Sequence, residues 1–141
     1  MLRGGYAGCV MKRFLHLLLG DRGERLAVRF LKKQGFRIVA KQYRSQFGEA
    51  DIIALDGRQV VFVEVKTRRS ADTGQPYEAV DRKKQQKLTK IALAWLKKHR
   101  RLDQSARFDV ISIVWPTDSR KPELQHFRNA FEAVGDGPFF T

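Results

Sequence analysis

The chain has 141 residues, of which 43% are hydrophobic, and this length suits one domain with one core rather than two independent ones. Its formal net charge is +13, whereas solubility alone requires a magnitude of only about 2–8, so the excess favours a polyanionic partner and nucleic acid in the first place. A single cysteine excludes an internal disulfide, the three histidines lack metal-ligand spacing, and no apolar run is long enough to span a membrane. We therefore expect a cytoplasmic protein with no zinc site and no membrane partner.

The first half of the chain predicts one helix followed by three strands. Asp21 is predicted as the N-cap and Glu24 as the capping-box residue of a helix that Gly35 ends. Strands are predicted over residues 36–43, 49–55 and 59–67, and an Asp56-Gly57 turn joins the last two. The third strand is almost wholly apolar, which is typical of a central strand covered on both faces.

The second half predicts a loop, a helix and two further strands. Gly, Pro, Ser and Thr over residues 68–79 indicate the loop, and Asp81 is predicted to cap a helix that runs to about residue 100. A strand over 108–115 and a short edge strand over 125–131 follow. The order αβββαβ(β), with helices flanking a mixed sheet, predicts an α/β fold.

Three stretches divide the chain. Residues 1–20 are predicted to be an N-terminal extension, within which Met11 is a second candidate for the start, residues 21–135 the folded domain, and residues 136–141 a flexible tail.

The hairpin between the second and third strands carries the candidate chemistry. Side chains alternate faces along a strand, so Glu64 and Lys66 lie on one face of the third strand. A two-residue turn makes Glu64 the diagonal neighbour of Asp51, and a four-residue turn places the two directly opposite. Either even-numbered turn brings both carboxylates to one face.

Charged groups on an apolar sheet face need a partner, because burying an unpaired charge is costly. Mg²⁺ or Mn²⁺ fits best, held by the Asp51 and Glu64 carboxylates and the backbone carbonyl of Val65. Lys66 would orient the attacking water or neutralise charge on a phosphate. The plain alternative is a structural ion pair between Glu64 and Lys66.

Two further acids are considered. Glu24 lies three residues before Ala27 and seven before Leu31, which places it on the core-facing stripe of the first helix as a fourth site candidate, and a capping role is equally open. Asp109 interrupts the apolar fourth strand, and we interpret it as a buried carboxylate paired with Arg107 or a backbone amide rather than as a catalytic group.

Polar residues around the hairpin are candidates for contacts with phosphates. Lys83 and Lys84 occupy the positive end of the second helix dipole, an unfavourable placement that hints at function, and Lys84 and Gln85 continue the inward stripe of that helix. The alternative is a solvated basic face. The candidate phosphate contacts are Arg44, Arg68, Arg69, Lys83, Lys84, Gln85 and Lys87.

In residues 23–24, 48–53 and 61–68 the chain resembles the YraN family, and the likeness extends over about residues 20–135. That family of small bacterial proteins is assigned to the PD-(D/E)xK nuclease superfamily and is similar in core to archaeal Holliday-junction resolvases. The resemblance implies a restriction-endonuclease-like fold. It also implies that Asp51 and Glu64 bind metal, Lys66 is the catalytic lysine and Glu24 is the helix acid of resolvases. The motif's proline is Ala50 here, which removes a rigid bend but no chemistry.

The resulting hypothesis is a metal-dependent endonuclease that hydrolyses phosphodiester bonds of DNA, including branched or structured DNA. A non-catalytic nucleic-acid-binding module that keeps the fold is the main alternative, because a fold can persist without its reaction, and a scaffold for an acidic protein partner is the third. A homodimer is a further expectation, since resolvases act on symmetric junctions.

Overall fold

The structure is a computed structural model that describes residues 20–69, 80–116 and 121–135. Helix α1 covers residues 20–33 of the described part. The remaining elements are β1 (Arg37–Ser45), β2 (Gly48–Asp56), β3 (Gln59–Arg69), α2 (Arg82–Lys98), β4 (Ala106–Trp115) and β5 (Glu123–Phe131).

The predicted order of elements is confirmed, and several boundaries shift by one or two residues. Residues 68 and 69 of the predicted loop belong to β3, and β5 is a nine-residue strand rather than a short addition. The rest of that loop, the predicted extension up to residue 19 and the predicted tail lie outside the described residues.

The five strands form one mixed sheet in the order β1-β2-β3-β4-β5. β1, β2 and β3 pair antiparallel, β3 and β4 pair parallel, and β5 returns antiparallel along β4. Two parallel neighbours need a long connection from one end of the sheet to the other, and α2 is part of that connection between β3 and β4.

The two helices cover opposite faces of the sheet. Leu31 of α1 packs with Val61 and other side chains of one face, whereas Ile91 of α2 packs with Phe62 of the other face. Val61 and Phe62 are adjacent, and both are buried because β3 is covered on both sides. This arrangement is the α/β, restriction-endonuclease-like fold that the sequence predicts. Neither described helix is both long and apolar enough to cross a membrane.

The sequence predicts the C-terminal end of α1 correctly but not its N-terminal end. Gly20 and Asp21 are both helical, so the prediction of Asp21 as the N-cap was wrong. Aspartate is favourable throughout the first helical turn as well as at the cap, and its identity therefore does not fix the boundary. At the other end Gly35 has φ +93° and the Phe36 N–H donates to the Leu31 carbonyl at 2.9 Å, the glycine-terminated ending that the sequence predicts.

The β2–β3 turn sets the register of the hairpin. Asp56 pairs with Gln59, so the two central residues are Gly57 and Arg58, one position later than the predicted Asp56-Gly57. Gly57 has φ +61°, as the first central residue of a type II′ turn requires. The correction moves the pairing by two residues, which preserves the face on which every side chain lies.

A buried polar network joins β4 and β5 to this turn. The Asp109 carboxylate is fully buried and accepts hydrogen bonds from Arg107 Nε at 2.9 Å, His126 Nε2 at 2.8 Å and the Asn129 amide at 2.9 Å. Arg107 also donates to Asp56 at 2.9 Å, at the end of β2. Burial disfavours the charged carboxylate, but the hydrogen bonds from His126 and Arg107 outweigh it and lower the pKa of Asp109. The prediction that Asp109 pairs with Arg107 or a backbone amide is confirmed, and both partners are present.

We predict that Asp109→Ala destabilises the fold strongly. It leaves the Arg107 guanidinium and the Asn129 amide without their buried acceptor, and removing one partner of a buried ion pair typically costs about 3–5 kcal/mol. Urea unfolding at pH 7, followed by tryptophan fluorescence, measures the change. Asp103→Ala is the matched control, because Asp103 is exposed and its loss should change stability by less than about 0.5 kcal/mol. Equal effects of the two substitutions would contradict the structural role of the network.

Candidate active site

Asp51 and Glu64 come together where β2 and β3 separate. Leu55 pairs with Val60 and Ile52 with Val63, and the same register places Asp51 directly opposite Glu64. This is the second of the two registers that the sequence allowed, and it confirms that both carboxylates meet.

Where β2 and β3 separate, the Asp51 side chain accepts the hydrogen bond from a β3 backbone N–H that a β2 carbonyl would otherwise accept. Its Oδ2 accepts from the Val65 N–H at 2.8 Å, beyond the last backbone pairing of the two strands. In an extended strand the N–H and C=O of one residue point to the same side. The Val65 carbonyl, a predicted metal ligand, therefore lies on the side of β3 that faces Asp51.

Glu64 is buried, with 5% of its surface exposed, and forms an ion pair with Lys84 in the first turn of α2. The predicted inward orientation of Lys84 is confirmed. Burial opposes the charge on Lys84, but Glu64 and then Asp51 outweigh it and raise the pKa of the ammonium. The alternative of a Glu64–Lys66 ion pair is wrong, because within the described part of the chain Glu64 pairs with Lys84.

Asp51 is held in a form that resists ionisation. Burial is the largest influence and the charge of Glu64 is the next, and together they raise the pKa of Asp51 to about 7 despite the Val65 N–H and the Lys84 ammonium. Two carboxylates at close range repel each other when both are ionised, and a nearby cation reduces that repulsion. This electrostatic demand is what a divalent metal would meet.

Glu24 reaches the same region from α1. Gly23 is buried against β3, where an added Cβ would collide with the Thr67 hydroxyl, so the glycine permits the close approach that brings Glu24 in. The Glu24 carboxylate is half-buried and lines one cleft of about 510 Å³ together with Asp51. Burial raises the pKa of Glu24 and the charge of Asp51 adds to the effect, while a hydrogen bond from Gln42 opposes it.

Gln42 is a site residue that the sequence did not reveal. Its Nε2 donates to Glu24 Oε2 at 2.9 Å, and its backbone is left-handed with φ +49°, between two residues of β1 that pair with the neighbours of Asp51. A non-glycine residue rarely adopts this conformation, and such strain concentrates at functional sites. A glutamine in a loosely alternating strand carries no sequence signal for it.

Lys66 lies on the same face of β3 as Glu64 and is half-buried. In the parallel register it pairs with Ser112 of β4, a residue that is only 2% exposed. Among the described residues nothing bonds to the Ser112 hydroxyl, and no ion pair forms at Lys66. Buried polar groups are normally paired, so a Ser112 hydroxyl without a partner in the described part of the chain is an exception that suits contact with a bound group. Ser112 was also missed, because a serine in an apolar strand is usually a packing residue.

The donor set is small but chemically consistent. In the described ranges no three His, Cys, Asp or Glu side chains converge to hold a metal without help. Asp51, Glu64 and the Val65 carbonyl offer hard oxygen ligands of the kind that Mg²⁺ and Mn²⁺ prefer, and these ions usually keep several waters. The residues present therefore fit such an ion with water completing its coordination.

The predicted phosphate contacts on α2 are only partly gathered at the site. Lys84 is inside it, and Lys83 is exposed in the same first turn, whose start is confirmed by the Asp81 side chain accepting the Lys84 N–H at 2.8 Å. Gln85 instead donates its amide to the Val80 carbonyl at 3.0 Å, which ties down the start of α2. Lys87 packs its aliphatic chain over Gly48 at the start of β2.

The three predicted arginines lie on strands. Arg44 is exposed in β1 and forms a 3.5 Å ion pair with Glu49. Arg68 and Arg69 continue β3 beyond Lys66, alongside the end of β4. The structure thus gathers the acids, Lys66 and Lys84, and leaves Arg44 and Gln85 with structural partners.

A five-stranded mixed sheet between two helices, with two carboxylates and a lysine gathered where its central strands separate, defines a restriction-endonuclease-like α/β protein. The family model described as "Uncharacterised protein family UPF0102" matches residues 23–113, a span that contains all four predicted catalytic residues. The chain belongs to this family, for which the name YraN is also used.

Relatives of the chain carry the same family name. A UPF0102 protein of Geobacter metallireducens is 48% identical over 114 residues, which cover 81% of this chain and 92% of that protein. A UPF0102 protein of Geotalea uraniireducens is 47% identical over 114 residues, with 81% and 89% covered. A UPF0102 protein of Rhodococcus opacus is 42% identical over 116 residues, with 82% and 98% covered.

We predict that Asp51→Asn stabilises the metal-free protein, and that the gain depends on pH. A carboxyl whose pKa rises from 3.8 to about 7 on folding loses its contribution to stability as the pH rises through that interval. The amide keeps an oxygen for the Val65 N–H and never ionises. Urea unfolding with EDTA should give a gain of more than about 1 kcal/mol at pH 8 that vanishes near pH 4, since one pKa unit corresponds to about 1.4 kcal/mol.

Asp103→Asn, the same change at an exposed position, should show no such pH dependence. A gain for Asp51→Asn that is equal at pH 4 and pH 8 would show that the buried charge is not its cause.

Proposed function

We propose that the protein is a metal-dependent endonuclease that hydrolyses phosphodiester bonds of DNA. The observation that carries the proposal is the closeness of the Asp51 carboxylate of β2 to the Glu64 carboxylate of β3, with Lys66 on the same face of β3 as Glu64. Paired carboxylates beside an ammonium suit a reaction in which a cation and a phosphate must be held together. The net charge of +13 supports a polyanionic substrate.

Asp51, Glu64 and the Val65 carbonyl would hold Mg²⁺ or Mn²⁺. Such an ion, when bound, acidifies a water and screens the charge that develops on phosphate oxygens. The hairpin holds the two carboxylates in place, because Asp51 is fixed by the Val65 N–H and Glu64 by its position on a central strand. Little rearrangement is needed for both to face one ion.

Lys66 would stabilise the phosphate itself. Its ammonium stands on the face of β3 that carries Glu64, and in the described part of the chain no carboxylate neutralises it. An unneutralised cation in a partly buried position interacts strongly with a developing negative charge. Glu24, oriented by Gln42, would accept a hydrogen bond from water at the opposite side of Asp51.

The second candidate is a nucleic-acid-binding module without catalysis. The Lys84–Glu64 ion pair favours it, because this ammonium already neutralises one of the two carboxylates. A permanent pair of this kind would leave no ligand set for a divalent ion. Binding would then be sensitive to salt through phosphate contacts, and insensitive to metal or to Glu64→Gln.

Cleavage assays separate the two candidates. Labelled duplex, single-stranded and four-way-junction DNA are incubated with the purified protein in Mg²⁺, Mn²⁺ or EDTA. We expect cleavage with either metal and none in EDTA. Asp51→Asn and Lys66→Ala should each lower the rate by about 100-fold or more, because removing one transition-state interaction typically costs 10²–10³-fold. Asp103→Asn should cleave at the wild-type rate.

Two outcomes would contradict the proposal. Cleavage that survives Asp51→Asn would point to a contaminating nuclease, and failure of the wild-type protein to cut any substrate would reject hydrolysis. Preference for the four-way junction would support structured DNA as substrate. Symmetric cutting of such a junction would require two active sites and therefore a homodimer. Analytical ultracentrifugation measures the mass of the protein and so tests for that dimer.

A further inference from the structure

The cleft that reaches Asp51 runs between α1 and β1 and has two chemically different parts. Its acidic end holds Glu24 and Asp51, with Asp21 nearby on α1, since the charges of Asp51 and Asp21 both act on the Glu24 carboxylate. Its basic side is formed by four cations, which are Arg25, Arg29, Lys32 and Lys41.

The basic side is a continuous stripe. Arg25, Arg29 and Lys32 are spaced four and three residues apart, which places them on one side of α1 over about 10 Å of helix axis. Lys41 faces them from β1, where it pairs with Ile52, the neighbour of Asp51. The stripe therefore begins beside the acidic end and leads away from it.

These cations are available to an external anion. All four are exposed, and in the described part of the chain none of them forms an ion pair. Two other cations differ from these four, since Arg107 of β4 is paired with Asp109 and Lys84 of α2 with Glu64. Unpaired cations along a groove are the usual footprint of a bound phosphodiester backbone.

We propose that one strand of a nucleic acid lies along this α1–β1 cleft, with its phosphates contacting Arg25, Arg29, Lys32 and Lys41 and a further phosphate at Asp51. The inference rests on the proposed function for the nature of the substrate, and adds the surface that guides it. The surface differs from the sequence-based candidates, which lie mainly on α2 and the end of β3.

The electrostatic potential also changes sign along the cleft. Phosphates are attracted by the basic stripe and repelled by the carboxylates at its end, unless a cation is bound there. The stripe therefore supplies the affinity, and the acidic end receives a phosphate together with its metal. Divalent ions should strengthen binding at fixed ionic strength.

The test compares two triple variants of equal charge change. Arg25→Ala/Arg29→Ala/Lys32→Ala removes the stripe of α1, and Lys90→Ala/Lys97→Ala/Lys98→Ala removes three exposed lysines of α2. Both are made in the Asp51→Asn background, so that cleavage does not interfere. Fluorescence anisotropy with labelled 20-nucleotide single-stranded and duplex DNA measures the dissociation constant over a range of salt concentrations, and urea unfolding checks that both variants fold.

The α1 variant should bind at least about 10-fold more weakly near 0.1 M salt. The plot of the logarithm of the association constant against the logarithm of the salt concentration should become less steep. Its slope should decrease in magnitude by about 2 with single-stranded DNA and about 3 with duplex, as three lost phosphate contacts require. The α2 variant should stay within about twofold of its parent. The DNA form that shows the larger loss identifies which one occupies the cleft.

An equal or larger loss for the α2 variant, or no salt-dependent binding by the parent protein, would overturn the inference. Failure of the nuclease proposal is a separate result. It would appear as stripe-dependent binding without cleavage by the wild-type protein. Cleavage by the wild-type protein with binding unaffected by the α1 variant would reject the cleft and leave the nuclease standing.

Discussion

The main constraint on the candidate site is the repulsion between two carboxylates, Asp51 and Glu64, that face each other on an apolar sheet. Neither is displaced from the sheet, because the β2–β3 register fixes both positions. The Val65 N–H bonds to one carboxylate and the Lys84 ammonium to the other, which offsets part of the repulsion. Burial first, and then the charge of Glu64, raises the pKa of Asp51 to about 7 despite these two partners.

Each of the two helices brings a charged side chain close to the Asp51–Glu64 pair. α1 approaches β3 at Gly23, where a side chain would not fit, and so carries Glu24 to one side of Asp51. α2 begins with basic residues and no acid in its first turn, against the preference set by its dipole. The position of Glu64 explains the exception, since Lys84 finds there a carboxylate that needs a counter-charge.

The sequence predicts the fold, and which residues of the hairpin share a face, better than it predicts the exact register between the two strands. Period-two alternation places Asp51, Glu64 and Lys66 on one face for any even-numbered turn, because every even shift preserves parity. The register depended on whether Asp56 closes the turn or lies within it, and the sequence allowed both. Gln42 was out of reach because its role comes from a left-handed backbone, which glycine or asparagine would have signalled and glutamine does not.

Two aspartates of the same sheet show how the structure separates support from function. Asp109 receives hydrogen bonds from Arg107, His126 and the Asn129 amide, and its pKa is lowered. Asp51 receives one from a backbone amide, faces another carboxylate, and its pKa is raised. The Asp109 carboxylate has its hydrogen-bond partners within the fold and needs no external ligand. The Asp51 carboxylate has fewer partners, so its ionised form would be stabilised by a bound cation. The deficit at Asp51, at the acidic end of a cleft lined by cations that form no ion pair in the described part of the chain, therefore sets it apart from the Asp109 network and supports the proposed binding of a cation there.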